Sequence, residues 1–257
     1  KDYKTKMFEV IILSAIQGIT EFLPVSSSAH LILVSKYFNF SNSSLTLDVS
    51  LHLGSLMAII SYFKKDIFNL LKNRNFFIKI LISSIPTIIV GYLLFRFALI
   101  DYLRNFQLIG WTTIIFGILL YFSDLKQINK SVKRDYTFKT AVYISFFQIL
   151  SLIPGVSRSG ITISGARLFN FSREDSVKIS FLMSIPILAA VSGFNLSNLL
   201  AEGSFEFSVL NLIGIIFSFL FSFLTIKFLL IFLKRFSFTY FVIYRIALGV
   251  LILCYTY

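Results

Sequence analysis

This chain has little charge. Only 14% of its 257 residues are charged, and only 12 are acidic, against about 25% charged in an ordinary soluble domain. A soluble fold of this size would have too little polar surface to cover its core, so that class is excluded. One cysteine, Cys254, excludes an internal disulfide and any cysteine-rich metal site. No cleavable leader pattern is visible: the first apolar run, from Met7, already carries Gln17 and Glu21 and reads as part of the mature fold.

What is there is apolar. Hydrophobic residues make up 56% of the chain and aromatics 17%, with 31 Phe, and mean hydropathy is +0.83. This composition is that of an integral membrane protein. The 24 basic residues give a formal net charge of +12. In a soluble chain that excess would suggest nucleic-acid binding. On an apolar background it is expected in cytoplasmic loops, where Lys and Arg collect, so no nucleic-acid partner is expected.

Six runs, roughly 46–63, 76–98, 107–123, 176–194, 207–230 and 238–256, approach the ~20 residues a helix needs to cross a bilayer. Two other apolar regions, roughly 8–37 and 138–168, are interrupted at PVSSSAH from Pro24 and at PGVSRSG from Pro154. Proline removes a backbone donor and ends or kinks a helix. In hydrocarbon such a break is tolerated only against protein or a wet cavity. Each region is therefore expected to be a re-entrant helix pair that enters and leaves on one side.

The two regions are copies. At a constant offset of 131 residues Gln17 matches Gln148, Ser14 matches Ser145, and Val25, Ser26 and Ser28 match Val156, Ser157 and Ser159. Phe38-Asn39-Phe40-Ser41 matches Phe169-Asn170-Phe171-Ser172, and the three following spans also superimpose at that offset. The expectation is one membrane domain of two units, about 8–123 and 138–256, each a re-entrant pair plus three transmembrane helices. Three crossings per unit make the repeat inverted, the layout in which sites form near the midplane between broken helices. Basic residues cluster at Lys64, Lys65, Lys72 and Arg74, at Lys126, Lys130, Lys133 and Arg134, and at Lys234 and Arg235. The intervening loops carry Asp101 with Arg104, Glu202 and Glu206, and the neutral stretch Ser41 to Ser44. The first set is expected to face the cytoplasm. Lys1, Lys4 and Lys6 run against the rule and are outnumbered.

Ionisable groups inside a membrane cost about 2.5–3.5 kcal/mol each on insertion scales. Glu21, His30 and Arg158 therefore need a reason to lie at the two breaks. Inversion would bring the breaks together, with Ser26, Ser27, Ser28, Ser157, Ser159 and Thr162 around them. Helices restarting after Pro24 and Pro154 offer free N–H groups to an anion. Arg158 adds a planar fork suited to phosphate. Gln17 and Glu21, four apart, share a helix face that suits a hard cation bridging to substrate phosphates. His30 and a serine hydroxyl are rival nucleophiles. These parts suit phosphoryl transfer.

QGITEFLPVSSSAH from Gln17 and PGVSRSGIT from Pro154 resemble the two signature motifs of the undecaprenyl-diphosphate phosphatase family, the bacitracin-resistance type of membrane phosphatase. The likeness extends through LHLGS at Leu51 and FFQILSLIPG before the second motif, and so covers essentially the whole chain. It implies six spanning helices with two re-entrant pairs, and removal of the terminal phosphate of undecaprenyl diphosphate to recycle the lipid carrier of peptidoglycan synthesis. It also implies a site opening to the outer face of the bacterial cytoplasmic membrane, with Mg²⁺ or Ca²⁺ as cofactor. By position it makes Glu21 the essential carboxylate and metal ligand, places Ser26, Ser27 and His30 in the first turn, and places Ser157, Arg158 and Thr162 in the second, with Arg158 on the diphosphate. Gln17 stands where Glu is common in the family. That removes one negative charge, so the metal would be held by Glu21 and the diphosphate itself.

Blander readings stand beside these. Glu21 as a snorkelling residue, Arg158 as a helix-end anchor and His30 as a packing histidine are the structural alternatives. For each serine the alternative is to bond its own backbone or allow close packing; Ser27 is the best nucleophile among them. His52 reads equally as a supporting residue or as packing. Asp48 reads as a span end, Arg167 and Arg173 as interfacial anchors, and Trp111 and the tyrosines as belt and core aromatics. The competing function is a transporter or flippase for a polyprenyl-phosphate lipid, since inverted repeats with broken helices also build transporters. The sequence does not fix the oligomeric state, and a homodimer stays open.

Overall fold

A computed structural model of the chain describes residues 3–38, 45–72, 74–99, 101–103, 105–201 and 208–256. Lys1, the Asn39–Ser41 part of the repeat match, the neutral stretch Ser41 to Ser44, Arg104, Glu202 and Glu206 lie outside the described residues, as do the side chains of Lys72, Asp101 and Lys133.

Among the described residues the fold is helical throughout, apart from one isolated β-bridge between Lys130 and Phe171. The helices are α1 Tyr3–Thr20, α2 Ser27–Tyr37, α3 Leu45–Tyr62, α4 Lys64–Lys72, α5 Arg74–Arg96, α6 Phe106–Asp124, α7 Val132–Asp135, α8 Phe138–Ile149, α9 Arg158–Leu168, α10 Arg173–Ala201, α11 Val209–Phe232 and α12 Thr239–Thr256. Short 3₁₀ turns cover Asp101–Leu103 and Leu150–Leu152. A chain in lipid must satisfy its backbone internally, and a helix does so within one segment. Six helices, α3, α5, α6, α10, α11 and α12, are long and apolar enough to cross a membrane. They occupy the six apolar runs. The chief difference is α10, which continues to Ala201 because Asn195, Ser197 and Asn198 end the apolar run without ending the helix. The chain is a multi-pass membrane protein.

The two interrupted regions are the helix pairs α1/α2 and α8/α9. An 11-residue helix such as α2 or α9 rises about 16 Å, about half of a ~30 Å hydrocarbon core. α1 starts at Tyr3, adding a lysine-bearing turn ahead of the apolar run. The remaining two prolines, Pro86 and Pro186, sit inside α5 and α10 without stopping them. Near Pro186, Ser84 Oγ donates to the Met183 carbonyl across the α5–α10 contact.

Helix pairing follows the 131-residue offset. α1 packs on α11, and its counterpart α8 packs on α5, the counterpart of α11; α3 packs on α10, and α6 on α12, each with its own counterpart. The ends of the short helices also differ in place. α2 ends at Tyr37 beside Phe106, where α6 begins, and Tyr255, where α12 finishes. α9 ends at the opposite pole, where Arg167 reaches Asp124 at the end of α6. The arrangement is compatible with an inverted repeat. Close crossings use small residues, as in membrane helices generally: a Cβ at Gly54 would lie 2.5 Å from the Ile215 carbonyl, and one at Gly249 would lie 2.8 Å from the Gly110 carbonyl.

The basic loops gather at one pole. Lys178 of α10 pairs with Asp66 of α4, Arg173 holds Asp124 through two bonds of 2.8 and 2.9 Å, and the Phe238 amide donates to Asp124. Arg167 departs from the interfacial-anchor expectation. It is 1% exposed, and its guanidinium donates to the Asp124, Lys126 and Phe171 carbonyls beside the Asp124 carboxylate. It closes a loop junction from inside by supplying donors to three carbonyls. Trp111 is half-exposed on the outer wall of α6, as a belt aromatic would be.

Candidate active site

The site is built where the two breaks meet. After α1 the chain turns through Glu21–Val25 and restarts as α2; after the 3₁₀ turn at Leu150–Leu152 it turns at Pro154–Ser157 and restarts as α9. Both restarts use the same device. Ser26 has φ 77° and Ser157 has φ 71°, a left-handed conformation that costs an L-residue about 1–2 kcal/mol. Each serine caps its helix: Ser26 Oγ accepts from the Ala29 amide at 3.4 Å and Ser157 Oγ from the Gly160 amide at 3.2 Å. Each hydroxyl also pairs with the serine two residues on, Ser28 or Ser159, at 3.2 Å. Cap bonds and neighbouring contacts offset the backbone cost.

The breaks are tied together by a residue the sequence reading passed over. Arg245, midway along α12, is fully buried. Its Nη1 donates to the Pro24 carbonyl at 3.2 Å, its Nη2 to the Gly155 and Val156 carbonyls at 3.0 Å each, and its Nε to the Thr113 carbonyl at 3.1 Å. One guanidinium thus satisfies carbonyls freed by both prolines' interruptions. A second tie comes from Ser159, whose Oγ donates to the Leu23 carbonyl at 2.8 Å. Thr112 Oγ1 donates to the Pro154 carbonyl at 2.7 Å. Gly155 is held at φ +89°, and a Cβ there would meet Thr112 Oγ1 at 2.2 Å, so this turn requires glycine. The signal for Arg245 was available: an arginine in the middle of an apolar span is expensive and needs partners.

Glu21, 8% exposed, sits at the centre. Its Oε2 accepts from Ser27 Oγ at 2.8 Å and from Gln17 Nε2 at 3.1 Å, and its Oε1 accepts from Arg158 Nη2. The expected shared face of Gln17 and Glu21 is present. Four of the candidates, Gln17, Glu21, Ser27 and Arg158, therefore form one connected cluster spanning both breaks. Two buried polar atoms in it have no hydrogen-bond partner: Gln17 Oε1 and Arg158 Nη1. One is an acceptor and the other a cationic donor. That pair of atoms fits a ligand carrying both an anion and a hard cation.

His30 lies beside the cluster with both ring nitrogens engaged. Nδ1 is 2.6 Å from the Ser26 carbonyl and Nε2 is 2.6 Å from Tyr244 Oη; the rings of His30 and Tyr244 stack with centroids 5.7 Å apart. A carbonyl only accepts, so Nδ1 carries the proton, and Nε2 accepts from the tyrosine. His52 is an electrostatic neighbour of Glu21, and its Nδ1 lies 2.8 Å from the Asp48 carbonyl one turn back.

The remaining candidates face inward. Thr162 is fully buried; its Oγ1 donates to the Arg158 carbonyl at 2.7 Å and meets Ser180 Oγ of α10 at 2.6 Å. Ser26, Ser157 and Ser159 spend their hydroxyls on the caps and cross-links described above. The structure thus places Ser26, Ser157, Ser159 and Thr162 around the site as its frame, and Gln17, Glu21, Ser27 and Arg158 within it.

The class is that of a multi-pass membrane protein with a buried carboxylate and guanidinium paired at two apposed broken helices. The sequence profile of the family described as Bacitracin resistance protein BacA matches residues 10–251. The chain is 49% identical over 254 residues to an undecaprenyl-diphosphatase of Pelagibacter ubique, covering 98% of this chain and 99% of the relative. It is 42% identical over 260 residues to an undecaprenyl-diphosphatase of Campylobacter curvus, covering 95% and 97%. A third relative with that name, from Dinoroseobacter shibae, is 38% identical over 264 residues, covering 98% and 99%. The chain belongs to the BacA bacitracin-resistance family.

Proposed function

We propose that the chain is a membrane phosphatase that hydrolyses undecaprenyl diphosphate to undecaprenyl phosphate and inorganic phosphate, and so recycles the carrier lipid of cell-wall synthesis. Near-full-length similarity to proteins of that name supports the substrate. The observation that carries the chemistry is the Ser27–Glu21–Arg158 cluster, with Arg158 Nη1 buried and unpartnered. The relatives lend no support to transport as the alternative.

Ser27 is the nucleophile in this reading. Its hydroxyl already donates to Glu21, a carboxylate able to take the proton as Oγ attacks the terminal phosphorus. The bond from that phosphorus to the bridging oxygen breaks, and undecaprenyl phosphate leaves. Arg158 binds the diphosphate through Nη1 while Nη2 remains on Glu21, so no rearrangement is needed to admit the anion. Charge on the phosphoryl oxygens is thereby stabilised in a water-poor site. Water then hydrolyses the phosphoserine: its oxygen bonds to phosphorus, the bond to Ser27 Oγ breaks, and Glu21 returns its proton to that oxygen. His30, three residues further along α2, has an unprotonated Nε2 and takes the water's proton once Tyr244 turns aside. Both of its nitrogens are engaged at rest, which favours Ser27 over His30 as nucleophile.

A divalent cation, Mg²⁺ or Ca²⁺, fits as cofactor. Gln17 Oε1 is an orphaned hard oxygen next to the Glu21 carboxylate. Among the described residues no group of three His, Cys, Asp or Glu side chains is close enough to hold a metal, so Glu21 and Gln17 would hold it with the substrate's phosphate oxygens. Bound there, it would neutralise diphosphate charge. The pole carrying Lys64, Lys65, Lys126, Lys130, Lys234 and Arg235 faces the cytoplasm by the positive-inside rule, and α2 then opens the site to the outer face of the cytoplasmic membrane. A homodimer would carry two complete sites, since the site is assembled within one chain.

The test is phosphate release from undecaprenyl diphosphate by purified protein, with Mg²⁺ and with chelator. Release that requires the cation and fails in Glu21→Ala and Arg158→Ala supports the proposal. Binding of the lipid with no phosphate release would refute it.

A further inference from the structure

The basic residues of the loop pole are not all in loops. Lys79 and Lys178 are each the sixth residue of a spanning helix, α5 and α10, about 7.5 Å along from its start. A cation at that depth is costly unless something partners it. Lys178 has a partner in Asp66 of α4. Lys79 has none of opposite charge among the described residues. Its Nζ donates to the Tyr136 carbonyl at 2.8 Å and lies 5.5 Å from the centroid of the Phe138 ring. An ammonium carries three donors, so Lys79 has donors to spare.

Both lysines line one cavity of about 390 Å³ between α4, α5, α7 and α10, a size within the range of ligand pockets. Arg134 of α7 and the carboxamides of Asn69 and Asn75 line it too. α7 is fixed at its head, where the Ser131 amide donates to Asp135 at 2.9 Å and the Val132 amide to Asp175 at 3.2 Å. Among the described residues Arg134 bonds only through Nε, to the Asp135 carboxylate, so both ends of its fork are unspent. Three cations therefore line the cavity against one carboxylate, Asp66, which is already paired. The excess is not inherited from the duplication. At the 131-residue offset Lys79 and Lys178 correspond to Leu210 and Leu47, and Asp66 to Ser197. The cavity shares no residue with the Glu21–Arg158 cluster.

We propose that this cavity binds the phosphate of an anionic phospholipid headgroup; its lipid source rests on the cytoplasmic placement of this pole and not on the phosphatase reading. The Arg134 fork and the two ammonium groups suit phosphate oxygens, and the carboxamides add neutral donors. Basic pockets between transmembrane helices on the cytoplasmic side recognise such headgroups, in a leaflet that carries the anionic lipids. The surroundings select a lipid over free phosphate. Phe68 of α4 and Ile78 and Leu81 of α5 are exposed on the two helices that carry Asp66, Asn69, Asn75 and Lys79, and they offer acyl chains an apolar wall. α4 and α5 belong to the first repeat unit and α10 to the second, so a bound headgroup bridges the units beside the Asp66–Lys178 pair.

The experiment offers purified protein in neutral detergent a mixture of phosphatidylglycerol and phosphatidylcholine with the same acyl chains, and counts bound lipid by native mass spectrometry. The wild-type protein should retain phosphatidylglycerol in preference. Lys79→Gln with Arg134→Gln should weaken that retention about thirtyfold, at about 1 kcal/mol for each basic residue removed, and leave phosphatidylcholine unchanged. Lys234→Gln with Arg235→Gln takes the same charge from the same pole outside the cavity and should leave both lipids as in the wild type. An equal fall in the two pairs would mean attraction by the pole's net charge alone and would overturn the site, as would no fall in the first pair. Inorganic phosphate in large excess should not displace the lipid; displacement would make the ligand free phosphate and overturn the lipid assignment. The unfolding midpoint without added lipid should match the wild type in both pairs. If the first pair does not fold, Arg134→Gln alone, at an exposed residue, should weaken retention about fivefold, and no change there overturns the site. None of these readouts uses hydrolysis, so a failed phosphatase reading and a failed lipid site are told apart.

Discussion

Ser26 and Ser157 occupy the same place in two copies of one unit, with the same left-handed backbone and the same capping bond. Around them the copies have diverged. The first break contributes the carboxylate Glu21, where the second has Leu152; the second contributes the guanidinium Arg158, where the first has Ser27. The helix after the second break is walled in by three neighbours, while the helix after the first lies along a groove. A duplicated backbone device therefore supplies two helix starts, and in the proposed mechanism divergence gives the anion-binding guanidinium to one copy and the nucleophile and its base to the other. Function lives in the side chains grafted onto the repeat.

The largest effects should come from the residues that make the copies unlike. Glu21→Ala and Arg158→Ala are each expected to cut phosphate release by about 10³-fold, the upper range for losing one preorganised electrostatic partner. Arg158→Lys keeps the charge but loses the fork that contacts Glu21 and substrate together, and should cost about 10²-fold. Leu152→Ala, at the counterpart of Glu21, should leave release near the wild-type rate. A comparable loss there would mean that the second break takes part in the chemistry beyond Arg158.

Next come the two residues of α2 that the sequence left as rivals. Ser27→Ala should lose about 10³-fold and give no phosphoenzyme from a ³²P-labelled terminal phosphate. His30→Ala should lose about 10²-fold but accumulate phosphoserine, because the second step slows and the first does not. Label appearing on histidine in the wild-type protein would exchange the two roles.

Much of this was legible in the sequence, for identifiable reasons. Spans were legible because lipid demands about 20 apolar residues at a stretch. The breaks were legible because Pro24 and Pro154 cannot continue a helix. Gln17 and Glu21 could be placed on one face from their spacing alone. What the chain order could not express was the partner of each buried polar group. Thr162, in a signature motif, turns toward Ser180. Arg167, near a span end, is buried on carbonyls from two loops. Arg245 was not legible as the tie between the breaks, because its partners Pro24, Gly155 and Thr113 are distant in sequence. The groove beside α2 was not legible either, because a pattern of apolar residues in a membrane protein does not show which of them face one another.

Arg245 tests whether the breaks depend on each other. Arg245→Met keeps much of the volume and strands carbonyls at both breaks at once. Unsatisfied buried groups cost about 1–3 kcal/mol each, so with partial relaxation a loss of about 3–5 kcal/mol is expected, read as a fall in the thermal unfolding midpoint in nanodiscs. Arg245→Lys should recover only part of it, since an ammonium cannot reach four carbonyls in a fan. Wild-type stability in Arg245→Met would mean that each break is held by its own unit.

The smallest and most discriminating comparison is between the two capping serines. Replacing either by alanine removes the cap, worth about 1 kcal/mol, and keeps the left-handed backbone. Replacing either by glycine loses only a few tenths of the cap and releases about 1–2 kcal/mol of backbone cost, so it should stabilise by about 1 kcal/mol. If the copies share one backbone device, Ser26 and Ser157 should show matching shifts in both series. Activity should separate them. The turn before Ser157 is pinned by Arg245 at Gly155 and Val156 and by Thr112 at Pro154, so glycine there cannot loosen Arg158. The turn before Ser26 has one such bond from Arg245, at Pro24, and one from Ser159, at Leu23. Glycine at 26 frees the residue next to Ser27, so phosphate release should fall severalfold while the protein becomes more stable. Equal activity in Ser26→Gly and Ser157→Gly would show that the nucleophile is positioned by Glu21 alone and not by the strained turn.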